Sequence, residues 1–244
     1  MIISKTSSSF SPRALICDID GTLTDISRRI DLEAVAAIRT LVDNGIPVVL
    51  ASGNTVCAMT FLCKMIGTDG TIISENGGVY RIGYLGELQV CGNHEACKAA
   101  LARVKEYFEA NNIRMNLYSP EYRFADIAFE KTVDASTVRD LVKDLPVHIL
   151  DSDYALHIQS GDLNKGTAFM EVARELSIPV CEFVAIGDSS NDIEMIKCAG
   201  IGVSVGPDNA PLAEYAGYVS KEKYGRGFCE SVRKFFPTLF PDAV

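Results

Sequence analysis

The sequence has no apolar run long enough to cross a membrane, and its serine-rich first residues lack the apolar segment that a signal peptide needs. No C-x-x-C pair occurs among its eight cysteines, which are scattered and mostly lie in apolar stretches such as Leu15-Ile16-Cys17. This pattern favours reduced, mostly buried thiols over a disulfide or zinc framework. We therefore expect a cytoplasmic protein with no membrane partner, whose residues 1–11 form a flexible tail.

Positive charge is also scarce, with 23 Lys and Arg against 32 Asp and Glu and a net charge of -9. That balance disfavours a polyanion, so we predict no nucleic-acid partner, and any phosphate site must draw positive charge from a local group or a metal. Histidine is rare, and His94, His148 and His157 are scattered. The last two lie in alternating strand-like patterns, which indicates packing or surface residues rather than metal ligands.

Strand-like and helix-like segments alternate at both ends of the chain. A chain of 244 residues can form one medium domain with a large insertion or two small domains. The alternation predicts an α/β fold with a Rossmann-like parallel sheet and helices on both faces. The predicted strands span 13–17, 46–51, 71–74, 183–186 and 201–205, and the predicted helices span 31–42, 55–65, 166–176 and 192–198.

The middle of the chain has a different, mixed order of segments. We predict strands over 88–90, 124–130, 148–150 and 155–159 and helices over 95–110 and 136–145. Turn-rich residues near 80–83 and 159–162 border this part. The pattern predicts a catalytic core made of residues 1–81 and 159–244, with an inserted α/β cap over 82–158 that is well placed to be a lid.

Four short signatures stand out in a fixed order, and three of them follow strand-like runs. The carboxyl ends of parallel strands form one crevice, so these signatures can converge although they are far apart in sequence. Together they supply a nucleophilic carboxylate, a second carboxylate, a hydroxyl, an ammonium and an acidic pair, which is a complete set for phosphoryl transfer. The signatures are Asp18-Ile19-Asp20-Gly21-Thr22, Ser52-Gly53-Asn54, Lys165-Gly166 and Gly187-Asp188-Ser189-Ser190-Asn191-Asp192.

The aspartates of this set create an electrostatic conflict. Asp18, Asp20, Asp188 and Asp192 would bring several carboxylates together. Each uncompensated pair at about 4 Å repels by about 4 kcal/mol at an effective dielectric constant near 20. A divalent cation resolves the conflict, and hard oxygen ligands select Mg²⁺.

Reaction roles follow from this chemistry. Asp18 attacks phosphorus and becomes an aspartyl-phosphate, while Asp20 protonates the leaving oxygen and then deprotonates the attacking water. The Ser52 hydroxyl, the neighbouring backbone N–H groups and the Lys165 ammonium hold the phosphoryl oxygens. The neighbouring groups belong to the Ser52-Gly53-Asn54 turn. Among the acidic pair, Asp188 ligates the metal directly, and Asp192 is either a ligand or a supporting anchor.

Each signature has a structural interpretation when it is taken alone. Asp20-Gly21 is a common turn, and the segment from Asp188 to Asp192 suits a loop that caps a helix. Ser52-Gly53-Asn54 fits a strand-to-helix turn, and Lys165 could be a solvated lysine before a helix. Their joint occurrence in this order favours the catalytic interpretation.

These residues resemble a known family. The segment from Cys17 to Leu23 strongly resembles the first motif of the haloacid dehalogenase superfamily, and the other three signatures match its second, third and fourth motifs. The insert lies where the Cof-like branch carries its large α/β cap, and Glu75-Asn76-Gly77-Gly78 precedes it, as is frequent in that branch. Asn54 stands where the broader branch commonly has arginine. Within the branch, the chain is most similar to the archaeal phosphoglycolate phosphatases.

The resemblance implies specific roles for residues at the site. Asp18 is implied as the nucleophile, and Lys165 as a contact of the substrate phosphate. The metal ligands are implied to be the Asp18 carboxylate, the Asp20 backbone carbonyl and Asp188, with Asp192 close by. The resulting hypothesis is a Mg²⁺-dependent phosphatase of carbohydrate metabolism that acts on a small phosphorylated carboxylic acid, with 2-phosphoglycolate as the leading substrate.

Two alternatives stay open. A sugar-phosphate phosphatase or phosphomutase would use the same core, and a phospho-accepting signalling module would gather similar residues without needing a cap. The chain is expected to be a monomer or a homodimer. The aromatic residues near the C-terminus, Phe235, Phe236 and Phe240, are expected with Leu239 to dock on the core, and would favour a dimer if they were exposed.

Overall fold

The computed structural model describes residues 11–152, 155–208 and 210–241. The predicted tail therefore lies, except for residue 11, outside the described residues. The strands are β1 Ala14–Asp18, β2 Val48–Ala51, β3 Ile72–Ser74, β4 Val79–Arg81, β5 Gln89–Val90, β6 Ile127–Glu130, β7 Val147–Asp151, β8 Ala155–Ser160, β9 Phe183–Gly187, β10 Ile201–Ser204 and β11 Tyr218–Val219. The helices are α1 Leu32–Asp43, α2 Val56–Ile66, α3 His94–Ala110, α4 Ala135–Val142, α5 Lys165–Glu175, α6 Ile193–Cys198, α7 Ala210–Ala213 and α8 Tyr224–Phe235.

The larger sheet has eight strands in the order β11-β10-β9-β1-β2-β3-β4-β5. The pairings from β11 to β3 are parallel, and β4 and β5 are added in antiparallel orientation. Alternate residues of β1 face two apolar clusters: Leu15 packs with residues of α1, α2 and α8, and Ile16 packs with residues of α5 and α6. Helices therefore cover both faces, which confirms the predicted α/β class.

The smaller sheet is antiparallel, has the order β6-β8-β7, and comes from the middle of the chain. Helices α3 and α4 pack on it through a third apolar cluster, in which Phe108 and Phe129 make an edge-to-face contact with ring centroids 6.1 Å apart. The middle of the chain thus has a hydrophobic core of its own.

Two segments near the predicted start of the insert belong to the larger sheet instead. The strand predicted over 88–90 was assigned to the insert, but β5 pairs with β4, with Val90 opposite Val79. The turn predicted near 80–83 is also wrong for its first residues, because Tyr80 and Arg81 lie in β4. The Tyr80 ring packs in the apolar cluster that includes residues of α5, and the Tyr80 hydroxyl donates to Glu175 Oε1 at 2.9 Å. These contacts hold β4 in the larger sheet.

The strand predicted over 124–130 begins later, at Ile127. The backbone N–H groups of Phe124, Ala125 and Asp126 donate to the Glu75 carboxylate at 2.8 to 3.1 Å. Since these donors are used by a side chain, they are not available for a strand ladder. Glu75 is fully buried and lies just after β3, so it ties the start of the smaller sheet to the larger one.

The C-terminal aromatic residues dock on the core, as predicted. Phe236 is buried in the cluster that includes α8, and Phe235, Leu239 and Phe240 pack against the same cluster. All eight cysteines are free, but the expectation of mostly buried thiols holds only for Cys17, Cys63, Cys97 and Cys229. Within the described ranges, no helix combines the length and the apolar character that a bilayer crossing requires.

Candidate active site

Three neighbouring strands of the larger sheet end at the candidate residues. Strand β1 ends at Asp18, β2 is followed directly by Ser52, and β9 is followed directly by Asp188. These strands are adjacent, because β1 pairs with both β2 and β9. The sheet therefore brings the first, second and fourth signatures to one edge, as the parallel arrangement predicted.

The third signature joins them through a buried lysine at the start of α5. The fully buried Lys165 Nζ donates to Asp18 Oδ1 at 2.5 Å and to Asp192 Oδ1 at 2.7 Å. Carboxylate oxygens of Asp18, Asp188 and Asp192 lie within 4.8 Å of one another. One ammonium thus contacts two carboxylates, which leaves an excess of negative charge within this contact, and the third carboxylate lies close by.

The pKa values reflect this imbalance. Burial raises the pKa of Asp18 well above its ordinary value, and the carboxylates of Asp192 and Asp188 raise it further, although Lys165 opposes the shift. For Lys165, burial alone would lower the pKa, but Asp18 and Asp192 outweigh burial and raise it. The ammonium therefore stays charged at neutral pH, and a further cation at the cluster would favour ionisation of Asp18. The donor set of hard carboxylate oxygens fits Mg²⁺.

Asp192 is positioned mainly as a support. Its Oδ1 accepts from Lys165, and its Oδ2 accepts from the backbone N–H groups of Asp188 and Ser189 at 3.1 Å each. Both oxygens are thus used to hold the lysine and the loop after β9. Asp188 in turn accepts from the Thr22 hydroxyl at 2.9 Å. Both oxygens of Asp192 are thus engaged as an anchor's would be, and the ligand roles of Asp18, Asp188 and Asp192 stay predictions.

Asp20 and Ser52 lie beside Asp18 in a cavity of about 340 Å³. Asn54 Nδ2 donates to Asp20 Oδ2 at 2.9 Å and to Ser52 Oγ at 2.9 Å, and the Asn54 backbone N–H donates to Ser52 Oγ at 3.1 Å. Since Ser52 Oγ accepts these bonds, its own proton can be donated to a ligand. The backbone N–H of Asn54 is used within the turn, and the predicted donation from the Gly53 N–H to a phosphoryl oxygen stays a prediction.

Lys165 lines a second cavity, also of about 340 Å³, rather than the first. Asn76 and Asn191 line both cavities and are joined by a hydrogen bond of 3.1 Å. The Lys165 ammonium therefore contacts Asp18 from the side of the second cavity. Its predicted contact with a substrate phosphate stays a prediction, because its observed partners are the two carboxylates.

Gly21 permits the close approach of the first and fourth signatures. A Cβ at Gly21 would lie 2.1 Å from Asp188 Oδ2, and the backbone has a φ of +88°. We expect Gly21→Ala to lower activity strongly and the free energy of unfolding by about 1 to 3 kcal/mol. Gly45 has a φ of +77° with nothing within 4 Å of its Cβ position, so Gly45→Ala is the matched control for backbone strain. Equal kinetic losses in both variants, measured with a phosphomonoester, would contradict this explanation.

Three further residues, in the smaller sheet or just before it, line the cavity or support its wall, and the sequence motifs did not predict them. Arg123 and His157 line the first cavity, and Asp126 lies behind them and is fully buried. His157 is buried, as the packing interpretation expects, and it also lines the first cavity, whereas His148 is partly exposed and bonds Gly161 O at 2.7 Å. The one available signal was Asp126, a charged residue inside an otherwise apolar run.

Comparisons with known proteins agree with this geometry. A relative named phosphoglycolate phosphatase, from Methanoculleus marisnigri, is 52% identical over 232 residues, which cover 93% of this chain and 98% of the relative. One with the same name from Methanospirillum hungatei is 47% identical over 227 residues, with 93% and 98% covered. A solved structure from Thermoplasma acidophilum has the same fold, with a TM-score of 0.82 at 24% identity and coverage of 93% and 99%.

The family model for haloacid dehalogenase-like hydrolases matches residues 15–152 and 135–230. These two matches span the signatures, both sheets and most of the helices. They confirm the resemblance on which the expectations of fold and enzymatic activity rested. The chain belongs to the haloacid dehalogenase-like hydrolase family.

Proposed function

We propose that this hydrolase is a Mg²⁺-dependent phosphatase that forms an aspartyl-phosphate on Asp18 and acts on 2-phosphoglycolate. The observation that carries the proposal is the buried contact of Asp18 with Lys165, next to Asp188 and at the wall of a cavity that also contains Asp20 and Ser52. This set contains a nucleophile, an acid–base group and donors for phosphoryl oxygens within one small volume.

The carboxylates of Asp18 and Asp188 would hold the metal, with the backbone carbonyl of Asp20 as a further ligand and Asp192 as the anchor of the loop. When it is bound, Mg²⁺ would neutralise the excess carboxylate charge and polarise the phosphoryl group. The closeness of the three carboxylates, two of which share one ammonium, supports this assignment.

Different residues of the site carry out different steps of the proposed reaction. Asp18 attacks phosphorus while Asp20 donates a proton to the leaving oxygen, and Asp20 then takes a proton from the water that hydrolyses the aspartyl-phosphate. The hydrogen bond from Asn54 fixes the orientation of Asp20. Ser52 and the backbone N–H of Gly53 donate to the phosphoryl oxygens, and Lys165 balances the charge of the nucleophile.

The substrate assignment draws on the name that the two relatives carry and on the dimensions of the cavity. A cavity of about 340 Å³ is at the small end of ligand pockets, which suits a small phosphorylated metabolite. Residues of both sheets line it, and we propose that the inserted segment 82–158 acts as a cap. We further propose a cytoplasmic enzyme of carbohydrate metabolism, a monomer or homodimer, that uses neither nucleic acid nor a membrane as partner.

The test is phosphate release from a panel of phosphomonoesters, with Mg²⁺ and with a chelator. We expect metal-dependent turnover with a clear preference for 2-phosphoglycolate. Comparable turnover of sugar phosphates would overturn the substrate assignment and keep the mechanism, and return of phosphate to the sugar would indicate a phosphomutase. A stable phosphoprotein without turnover would indicate a signalling module and would overturn the enzymatic proposal.

A further inference from the structure

A buried group of three charged or titratable residues lies on the cap side of the cavity. Asp126 is fully buried, and its Oδ1 accepts from Arg123 Nη1 at 2.6 Å, while its Oδ2 pairs with His157 Nδ1 at 2.8 Å. His157 is 5% exposed and lines the same cavity as Asp18 and Asp20. Arg123 and His157 therefore line the same cavity as the proposed reaction centre, with Asp126 buried beside them.

Asp126 requires a proton on Nδ1 of His157. Burial opposes ionisation of Asp126, but the hydrogen bond from His157 and the charge of Arg123 outweigh burial and lower the pKa of the carboxyl. An ionised Asp126 can only accept, so Nδ1 of His157 must donate to it. This leaves Nε2 as the ring nitrogen that is available to a ligand in the cavity.

Arg123 joins this group to the turn formed by Ser52, Gly53 and Asn54. Its Nε donates to Tyr118 O at 2.9 Å, and its Nη1 and Nη2 donate to Gly53 O at 3.3 Å each. Most of its N–H groups are thus used by protein acceptors. Arg123 and Asp126 act as positioning residues, because four of the five Arg123 N–H groups and both Asp126 oxygens already have protein partners. Arg123 keeps one N–H on Nη2, whereas Nε2 of His157 has no hydrogen-bond partner among the described residues.

We propose that His157 determines substrate specificity by donating a hydrogen bond from Nε2 to the carboxylate of the substrate. The proposal rests on the proposed function, in which the substrate is a short phosphorylated carboxylic acid. A carboxylate at Nε2 requires an imidazole that is protonated on both nitrogens. The group of Arg123, Asp126 and His157 then carries one net positive charge, which matches one carboxylate. A neutral hydroxyl of a sugar would not need that charge.

The test compares kcat/KM for 2-phosphoglycolate with kcat/KM for ethyl phosphate, in which a methyl group replaces the carboxylate. His157→Asn retains an amide that can bond Asp126 but has no atom at the Nε2 position, whereas His157→Gln can place an amide N–H near that position. We expect His157→Asn to reduce the preference for 2-phosphoglycolate by about 10- to 100-fold, as expected for the loss of a hydrogen bond to a charged group. We expect His157→Gln to retain more of the preference. Because both substrates are measured on the same preparation, the ratio does not depend on the folded fraction.

His148→Asn is the matched control, because this histidine is on the neighbouring strand β7 and does not line the first cavity. The ratio of kcat/KM for 2-phosphoglycolate to kcat/KM for ethyl phosphate should be the same in His148→Asn as in the wild type. An unchanged ratio in His157→Asn would overturn the inference alone and would point to Arg28, which is exposed on a core loop and lines the same cavity. An equal loss of the preference for 2-phosphoglycolate in His157→Asn and His157→Gln would overturn the role of Nε2. A wild type without preference for 2-phosphoglycolate would overturn the proposed substrate together with the inference.

Discussion

Replacing Asp18 with asparagine is expected to lower kcat for any phosphomonoester by at least about 10⁴-fold, because the amide cannot attack phosphorus. The fold should survive. The carboxyl of Asp18 has a raised pKa because it is buried, and because Asp192 and Asp188 repel its charge, so its loss relieves repulsion. Lys165 keeps its second partner, Asp192, at 2.7 Å. We therefore expect the unfolding midpoint to change little in chelator, and Mg²⁺ to stabilise the variant less than the wild type.

Asp43→Asn, at the exposed end of α1, is the control for a general loss of one carboxylate, and it should retain full activity. Steady-state kinetics and thermal unfolding of both variants with Mg²⁺ and with a chelator provide the comparison. Substantial turnover by Asp18→Asn, above what contaminating wild type can explain, would contradict the role of this residue as the nucleophile.

Lys165→Met is expected to lower the free energy of unfolding by about 3 to 5 kcal/mol, because it leaves two buried carboxylates without their cation. Lys165 is fully buried between Asp18 and Asp192, and its raised pKa means that it contributes this stability throughout the neutral pH range, with loss only at strongly alkaline pH. Activity should fall together with stability. Saturating Mg²⁺ should reduce the difference in the free energy of unfolding between Lys165→Met and the wild type, since it supplies another cation to the same cluster.

The matched control is Lys197→Met. Lys197 pairs with Glu194 at 2.8 Å, but its side chain is 40% exposed, so the change in the free energy of unfolding should stay below about 0.5 kcal/mol. Urea unfolding of both variants measures the difference. A loss below about 1 kcal/mol in Lys165→Met would show that the buried cluster is not held together by this ammonium.

Much of the site could be predicted from the sequence because of where its residues stand relative to the strands. Asp18, Ser52 and Asp188 each end or follow a short apolar run, and parallel strands place such positions at one edge. Local patterns alone therefore predicted that these three residues lie at the same edge of the sheet. The order β9-β1-β2, which makes the three residues immediate neighbours, depends on tertiary pairing and only the structure gives it.

The residues on the cap side could not be predicted in the same way. Arg123 and Asp126 precede β6, whereas His157 lies in β8, about 30 residues later. Their contact depends on the antiparallel register of β6 and β8, in which Ala128 pairs with His157. No short segment contains the group, so local spacing carries no signal for it.

Two segments at the edges of the insert differ from their predicted local structure for a related reason. Strand β5 has only two residues, and its membership in the larger sheet depends on pairing with β4 rather than on its own composition. Likewise, residues 124–126 have an apolar strand-like pattern, but the distant carboxylate of Glu75 takes their N–H groups. In both cases a tertiary partner decided the local structure.

Chemical identification of the phosphorylated residue in Asp20→Asn tests the central claim most directly. With an aryl phosphate, whose leaving group needs little protonation, Asp18 should still be phosphorylated, while the loss of Asp20 as the base slows hydrolysis of the aspartyl-phosphate. Borohydride converts an aspartyl-phosphate to homoserine, which peptide mass spectrometry can locate. The proposed mechanism predicts homoserine at position 18 and nowhere else. Continued phosphate release with no modification at Asp18, or a phosphoryl group on another residue, would contradict it.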